Sequence, residues 1–279
     1  MEIVQSLISS PQSLMMNDIV WQTTQLTQTY LEGVRGAIPL AQEQIDVMLR
    51  LIRAACPTVT AVLDLGCGDG ILGQAVLDQH PEAHGVFLDF SEPMLAAARQ
   101  RLAGYERRAT IVLADYGKKT WSEETAQSPI SNLQSLVSNP RWDIGQSPIS
   151  NLFDVVVSGF SIHHQPDERK KEVYAELYDL LKPGGIFLNL EHVASPTRWL
   201  EERFEEHFID ALVAYHTMNG SGKTAEQVAR DYYNRPDKVA NILTPVETQC
   251  DWLREIGFEH VDCYLKIFEL ALFGGIKGN

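Results

Sequence analysis

Gly66, Gly68 and Gly70 follow directly on the apolar run Ala61–Leu65, with one carboxylate, Asp64, two positions before the first of them. Glycine admits backbone angles closed to other residues and lets the main chain approach a ligand closely, and a strand-to-helix turn gathers exposed N–H groups. The spacing is Gly-x-Gly-x-Gly, not the Gly-x-Gly-x-x-Gly of dinucleotide-binding turns. An acid at Asp64 suits a cationic ligand better than a diphosphate. Cys67, between the first two glycines, reads as a small residue facing the same ligand.

Further polar groups end the apolar runs that come later in the chain. Asp89 closes Gly85–Asp89, and its two oxygens can accept both hydroxyls of a cis-diol. Asp115 and Tyr116 close the third run, where an aspartate can also cap the next turn. Gly159 and Phe160 follow the run Phe153–Ser158, and His163 and His164 come just after. An imidazole titrates near neutrality, so either histidine is a candidate general base, the other reading being a turn that packs or caps. Glu191 and His192 end the run Gly185–Leu190 at the same edge and are candidate substrate contacts. Met94 lies just inside the second helix, where a methionine is core as often as ligand contact. Tyr30 and Arg35 lie upstream, and Arg35 can pair with a carboxylate through a charge-assisted bidentate contact.

These pieces in this order resemble the class I S-adenosylmethionine (SAM)-dependent methyltransferases, whose first motif has the form Asp/Glu-x-Gly-x-Gly-x-Gly. Leu181-Lys-Pro-Gly-Gly-Ile-Phe187 and Trp252-Leu-Arg-Glu-Ile-Gly-Phe258 add to the likeness, which covers about residues 40–279 apart from one insertion. The resemblance implies SAM as cofactor. It implies that Asp64, Gly66, Cys67, Gly68 and Gly70 cradle it, that Asp89 with Phe90 holds the ribose, and that Met94, Asp115 and Tyr116 border the adenine. Gly159 and Phe160 would line the methionine portion, with Tyr30 and Arg35 in a segment folded over the cofactor. The C-terminal third also distantly resembles enzymes that make carboxy-SAM for tRNA wobble modification, a chemistry that needs a cation such as Arg230 or Arg235.

The elements that must position these groups alternate. Ile45, Met48, Leu49 and Ile52 share one helical face, and Cys56-Pro57 ends that helix. Strands at Ala61–Leu65, Gly85–Leu88, Thr110–Ala114, Phe153–Ser158 and Gly185–Leu190 enclose helices at Ile71–His80, Ser91–Leu102 and Glu168–Leu181. The fold class is α/β, a Rossmann-like doubly wound sheet, mostly parallel, with an antiparallel C-terminal strand and helical cap insertions. Residues 1–40 form an N-terminal extension and 41–279 the methyltransferase-like domain. Within it, 118–151 is a surface insertion in which Gln127-Ser-Pro-Ile-Ser-Asn-Leu133 recurs as Gln146-Ser-Pro-Ile-Ser-Asn-Leu152. An amphipathic helix over Pro196–His216 and the polar stretch to Asn241 either pack as core or form a lid; together with Met15–Arg35 these segments are expected to build a partly apolar substrate cavity. Thr244-Pro-Val-Glu247 has the pattern of a capping box.

Charge and composition limit the partners. The net charge of −14, from 23 basic and 37 acidic residues, disfavours a phosphate backbone, so nucleic acid is not the expected substrate. The four cysteines have no metal-ligand spacing, and no metal site is expected. No run approaches ~18 apolar residues and no basic leader opens the chain, which leaves the cytoplasm as the expected compartment and no membrane partner. The expected function is methyl transfer to a small-molecule acceptor, with a homodimer possible. The alternatives are carboxy-SAM synthesis and a non-catalytic SAM-binding protein that uses the insertion as its contact surface; a nicotinamide oxidoreductase fits neither the glycine spacing nor the antiparallel end.

Overall fold

The computed structural model describes residues 21–105, 107–121 and 151–278. Both heptapeptide copies, save Asn151 and Leu152, lie outside the described residues, and so does most of the 118–151 insertion. Among the described residues seven strands form one sheet: β1 (Ala61–Leu65), β2 (His84–Asp89), β3 (Ala109–Leu113), β4 (Phe153–Gly159), β5 (Leu181–His192), β6 (Phe258–Ile267) and β7 (Leu270–Lys277). Their order across the sheet is β3-β2-β1-β4-β5-β7-β6. The first five are parallel, and β7 runs antiparallel to both β5 and β6. The register of β6 on β7 shifts twice, between Glu259 and Asp262 and between Cys263 and Leu265.

Alternation along the strands supplies two cores. Leu63, Leu65, Val86, Leu88, Phe187 and Phe273 pack on one face against α5 (Asp167–Leu180) and α8 (Val246–Ile256), through Val173, Leu177, Cys250 and Leu253. On the other face Val62, Phe87, Val155, Val157 and Leu188 meet α2 (Ala41–Ala55), α3 (Ile71–Gln79) and α4 (Glu92–Arg101), through Ile52, Val76 and Leu95. Met48 and Ile52 carry the buried stripe of α2, and Ser91 accepts the Met94 N–H as the N-cap of α4.

A third cluster joins the segment before α2 to two helices that follow β5. The short helix α1 (Thr24–Thr29) leads through a π-turn at Tyr30–Val34 into Arg35–Ala37. Val34 and Ala37 pack against Phe204, Phe208 and Leu212 of α6 (Arg198–Met218) and Val228 and Tyr232 of α7 (Ala225–Tyr233). The stretch read as polar after Met218 thus contains a helix. Its signal is Thr224-x-x-Gln227, a complete capping box that the sequence reading passed over.

The capping box expected at Thr244 is absent. Helix α8 starts at Val246 with Pro245 as its N-cap and no side-chain cap. The Thr244 hydroxyl is taken by a stronger demand: Lys170, 1% exposed, donates to Thr244 Oγ1 at 2.6 Å and to Asp167 Oδ1 at 2.8 Å. A buried ammonium left without acceptors costs more than a missing cap.

Candidate functional site

The parallel strands end on one edge, and strand order reverses between β1 and β4, which opens a crevice at their carboxyl ends. The crevice holds a cavity of about 980 Å³. The glycine turn brings Asp64, Gly66, Cys67 and Gly68 to its wall; the end of β2 and the start of α4 bring Asp89, Phe90 and Met94. The exit of β4 adds Gly159 and Phe160, and the N-terminal segment adds Tyr30 and Arg35.

Two glycines make this turn possible. Gly66 has φ +63°, and a Cβ there would lie 1.9 Å from Ser161 Oγ. Gly68 has φ +55° and faces open space, with only Met94 Sδ near a would-be Cβ at 3.9 Å. Asp89 fixes the turn: its Oδ2 accepts the Gly68 N–H and its Oδ1 the Ser91 N–H, both at 2.8 Å. Each oxygen keeps further acceptor capacity, and burial pushes the carboxyl up to about 6. Asp64 points into the sheet-helix junction, where Oδ2 accepts the Gly73 N–H at 2.8 Å, and burial holds its carboxyl well above the usual range.

Some expected site residues lie elsewhere. Gly70 packs on Phe87 and Leu102 and caps α3 without reaching the cavity. Asp115 and Tyr116 border a neighbouring cavity of about 910 Å³ that shares Trp21, Phe90, Ser161 and His164 with the first. There Asp115 accepts the Gly117 N–H at 2.9 Å and pairs with Lys118 at 3.1 Å, so its carboxylate caps the turn. The Tyr116 hydroxyl bonds Ser161 Oγ at 2.6 Å, and burial drives it far above the ordinary phenol range.

The structure adds to the site Asp69 and also Trp21, which stands out in the sequence only as a large residue of the N-terminal extension. Asp69, inside the glycine turn, receives both Arg35 and Arg101, the latter through Nε at 2.9 Å and Nη2 at 2.7 Å. One carboxylate thus holds two guanidinium groups, of which Arg35 reaches the cavity wall beside the acids Asp64 and Asp89. Trp21 packs edge-on to Tyr30, ring centres 5.5 Å apart. No local pattern marks Trp21, whereas an acid between two glycines was a visible signal for Asp69.

A second cavity of about 610 Å³ adjoins the first and shares Trp21, Tyr30, Ile38, Phe160 and His164 with it. Phe160 has φ +50°, an uncommon angle for a bulky residue, and its N–H donates to Leu190 O at 2.7 Å. That backbone, at a cost of ~1–2 kcal/mol, turns the ring into the boundary between the two spaces. Phe204 and Phe208 of α6 and Tyr232 of α7 form the apolar side, and Arg235, Asp237 and Asn241 the polar side.

His163 and His192 also face the second cavity. Glu191, read from sequence as a substrate contact, is fully buried and lines none of the three cavities. It stands behind His163 instead: Oε1 meets His163 Nδ1 at 2.5 Å, Oε2 accepts the His163 N–H at 3.0 Å, and Oε1 accepts the His192 N–H at 2.8 Å. Burial pushes the Glu191 carboxyl up to about 7 and lowers both imidazoles, His163 well below its usual value and His164 to about 3. His192 Nε2 lies 2.8 Å from Glu269 Oε2.

A family model described as a methyltransferase domain matches residues 63–187, from β1 into β5. Trans-aconitate 2-methyltransferase of Acidovorax sp. (strain JS42) is 44% identical over 204 residues, which span 59% of this chain and 75% of the relative. The chain belongs to the class I SAM-dependent methyltransferases. Carboxy-S-adenosyl-L-methionine synthase of Aeromonas salmonicida (strain A449) is 20% identical over 259 residues, 91% of this chain and 90% of the relative. An SAM-dependent methyltransferase structure from Methanococcus maripaludis shares the fold, with TM-score 0.51, 18% identity and 91% coverage of each chain. An O-methyltransferase family protein from Burkholderia thailandensis does so at TM-score 0.55 and 19% identity, over 86% of this chain; the match spans 57% of that longer protein.

For a methyltransferase of this class the cofactor is SAM, and the first cavity fits it. Gly68 leaves main chain bare to the cavity, Asp89 offers buried acceptors, and Arg35 brings a guanidinium to the wall. Among the described residues no helix is long and apolar enough to cross a membrane, and no group of three or more His, Cys, Asp or Glu side chains is placed to hold a metal ion.

Proposed function

We propose that this methyltransferase transfers the methyl group of SAM, held in the first cavity, to a small molecule held in the second, with His163 as general base and Glu191 as its positioning residue. The observation that carries the reading is the boundary the cavities share: Tyr30, Phe160 and His164 belong to both, so ligands on its two sides would meet there. Bound SAM supplies a methyl group on a cationic sulfur. The chain's own residues have to align the acceptor, exclude water and take a proton.

Four aromatic rings from three parts of the chain, Trp21 and Tyr30, Phe160, and Phe204, keep water from the meeting point. Burial pushes the Tyr30 hydroxyl up to about 12, so it stays protonated and serves as a donor. Glu191 accepts from His163 Nδ1 and two backbone N–H groups, which selects the tautomer with the proton on Nδ1. The other side of the ring faces the cavity and is hydrogen-bonded by the Asn241 side chain; an acceptor hydroxyl that takes over this contact can give its proton to Nε2. The lowered basicity of the buried ring keeps it neutral at pH 7, as a base must be.

The likeness to carboxy-SAM synthases along nearly the whole chain supports a second reading, in which the second cavity takes a carboxylate donor. Of the two arginines considered for it, Arg230 is exposed and lines none of the three cavities, and Arg235 is tied to Asp237. Mass spectrometry of the ligand carried through purification, followed by transfer of labelled methyl from SAM to a panel of small acceptors, separates the readings. SAM or S-adenosylhomocysteine (SAH) with a labelled acceptor is the expected result; carboxy-SAM as the bound species would overturn the first reading.

A further inference from the structure

The cations of the second cavity are all paired within the chain. Among the described residues its lysine and arginine cations are Arg235 and Lys238. Arg235 is paired to Asp237 through both Nε and Nη2. Lys238 Nζ meets Glu205 at 2.9 Å and lies 4.0 Å above the Tyr232 ring. Lys170, under His163, is bound to Asp167 at 2.8 Å and to Thr244. Each cation is therefore spoken for by a carboxylate of the chain. Two further carboxylates, Glu191 and Glu269, stand behind the histidines of the wall with no Lys or Arg partner. An incoming anion would have to displace Asp237 or Glu205 and face the acids that remain.

We infer that the acceptor is uncharged, with a flat apolar body and a hydroxyl, a phenol or an enol. This rests on the reading that the second cavity holds the acceptor. Phe204, Phe208 and Tyr232 form a ring-lined wall for the body, with ring centres 5.7 Å apart from Phe204 to Phe208 and from Phe208 to Tyr232. The hydroxyl meets His163. In the step, the O–H proton passes to His163 Nε2, the oxygen bonds to the methyl carbon, and the carbon–sulfur bond breaks with its electron pair left on a neutral sulfur. The charge lost by sulfur is the charge gained by the imidazole. Asp237 is a selectivity residue here: it neutralises the arginine that would otherwise attract a carboxylic acid, the chemistry named in both of the relatives above.

The test uses the full chain saturated with SAH and two probes of one shape, 4-ethylphenol and 4-ethylbenzoate, titrated calorimetrically at pH 7.5. The phenol is expected to bind at least about tenfold tighter. Asp237→Asn, and independently Glu205→Gln at a more exposed position, each free one cation, and each should strengthen 4-ethylbenzoate binding about tenfold while SAH affinity holds. Failure of SAH to bind would overturn the methyl-transfer reading and this inference with it. SAH bound with 4-ethylbenzoate the tighter probe, or with neither variant strengthening its binding, would overturn this inference alone.

Discussion

Replacing Asp89 by Asn is the sharpest probe of the cofactor site, because the side chain is surrounded by known partners. Its two oxygens each accept one backbone N–H at 2.8 Å, from Gly68 and from Ser91. An amide keeps one of these acceptors and turns a donor toward the other, and it offers the ribose no charged acceptor. Hydrogen bonds to a charged group are worth ~1.5–3 kcal/mol, so SAH affinity should fall by ~10–150-fold. Burial has raised the carboxyl from 3.8 to about 6. Ionisation at neutral pH therefore costs the folded chain ~3 kcal/mol, a stability that is present at low pH and lost as pH rises from about 4 to about 6. Asn relieves that cost while losing a bond, so the ligand-free variant should stay within ~1–2 kcal/mol of the parent at pH 7.5.

The same shift sets a pH dependence for binding. If the carboxylate is the form that accepts the ribose hydroxyls, parental SAH affinity should drop about tenfold between pH 7 and pH 5, and the Asn variant should be flat over that window. SAH is the right ligand because it lacks the sulfonium charge that would add a contribution from Asp64. His164, lowered to about 3, does not titrate there. Calorimetric titration at five or six pH values reads the result. A parental affinity independent of pH, or a variant with the same slope, would refute the assignment of Asp89 to the cofactor.

Glu191→Gln should slow transfer to a hydroxyl acceptor by ~10²-fold with SAH affinity unchanged, since Glu191 lies outside the first cavity and a general base contributes ~10²–10⁴. Nitrogen NMR should show the His163 proton leaving Nδ1, a change that a merely structural role for Glu191 would not produce. Gly66→Ala should lower stability by ~2–4 kcal/mol and weaken SAH binding, through its positive φ and the displacement of Ser161 from Tyr116; a melting temperature equal to the parent would contradict the tight packing of that turn against Ser161.

The sequence was most informative where one residue type is required by backbone geometry. The Gly66–Gly68 turn, the N-cap at Ser91 and the strand-end acid Asp89 are local, and their positions follow from spacing alone. The second cavity was legible by segment, its wall drawing on the Met15–Arg35 and Pro196–Asn241 stretches, but not by residue. Phe204, Phe208, Tyr232 and Asp237 come from segments that meet only after α6 and α7 fold back over the sheet, and nothing in their local pattern tells a cavity wall from an ordinary core stripe. Glu191 shows the same limit at one residue: a strand-end acid looked like a ligand contact, yet its side chain turns inward to two histidines. Thr244 was misread because a cap motif is short, and a buried lysine 74 residues earlier had the greater need of its oxygen.

The outer strand β6 bears on how copies of this chain meet one another. Among the described residues β6 ends the sheet; it carries Glu259, Asp262 and Lys266 as exposed charges, and His260 sits at φ +53° beside the first of the two register shifts. A strand so bent and charged is a poor template for another strand, because added hydrogen bonds would break at each bulge and the exposed charges would have to be desolvated. The sheet is thereby terminated at that end as well as completed, and self-association, where it occurs, is turned away from strand-to-strand extension along β6 toward side-chain contacts between other faces.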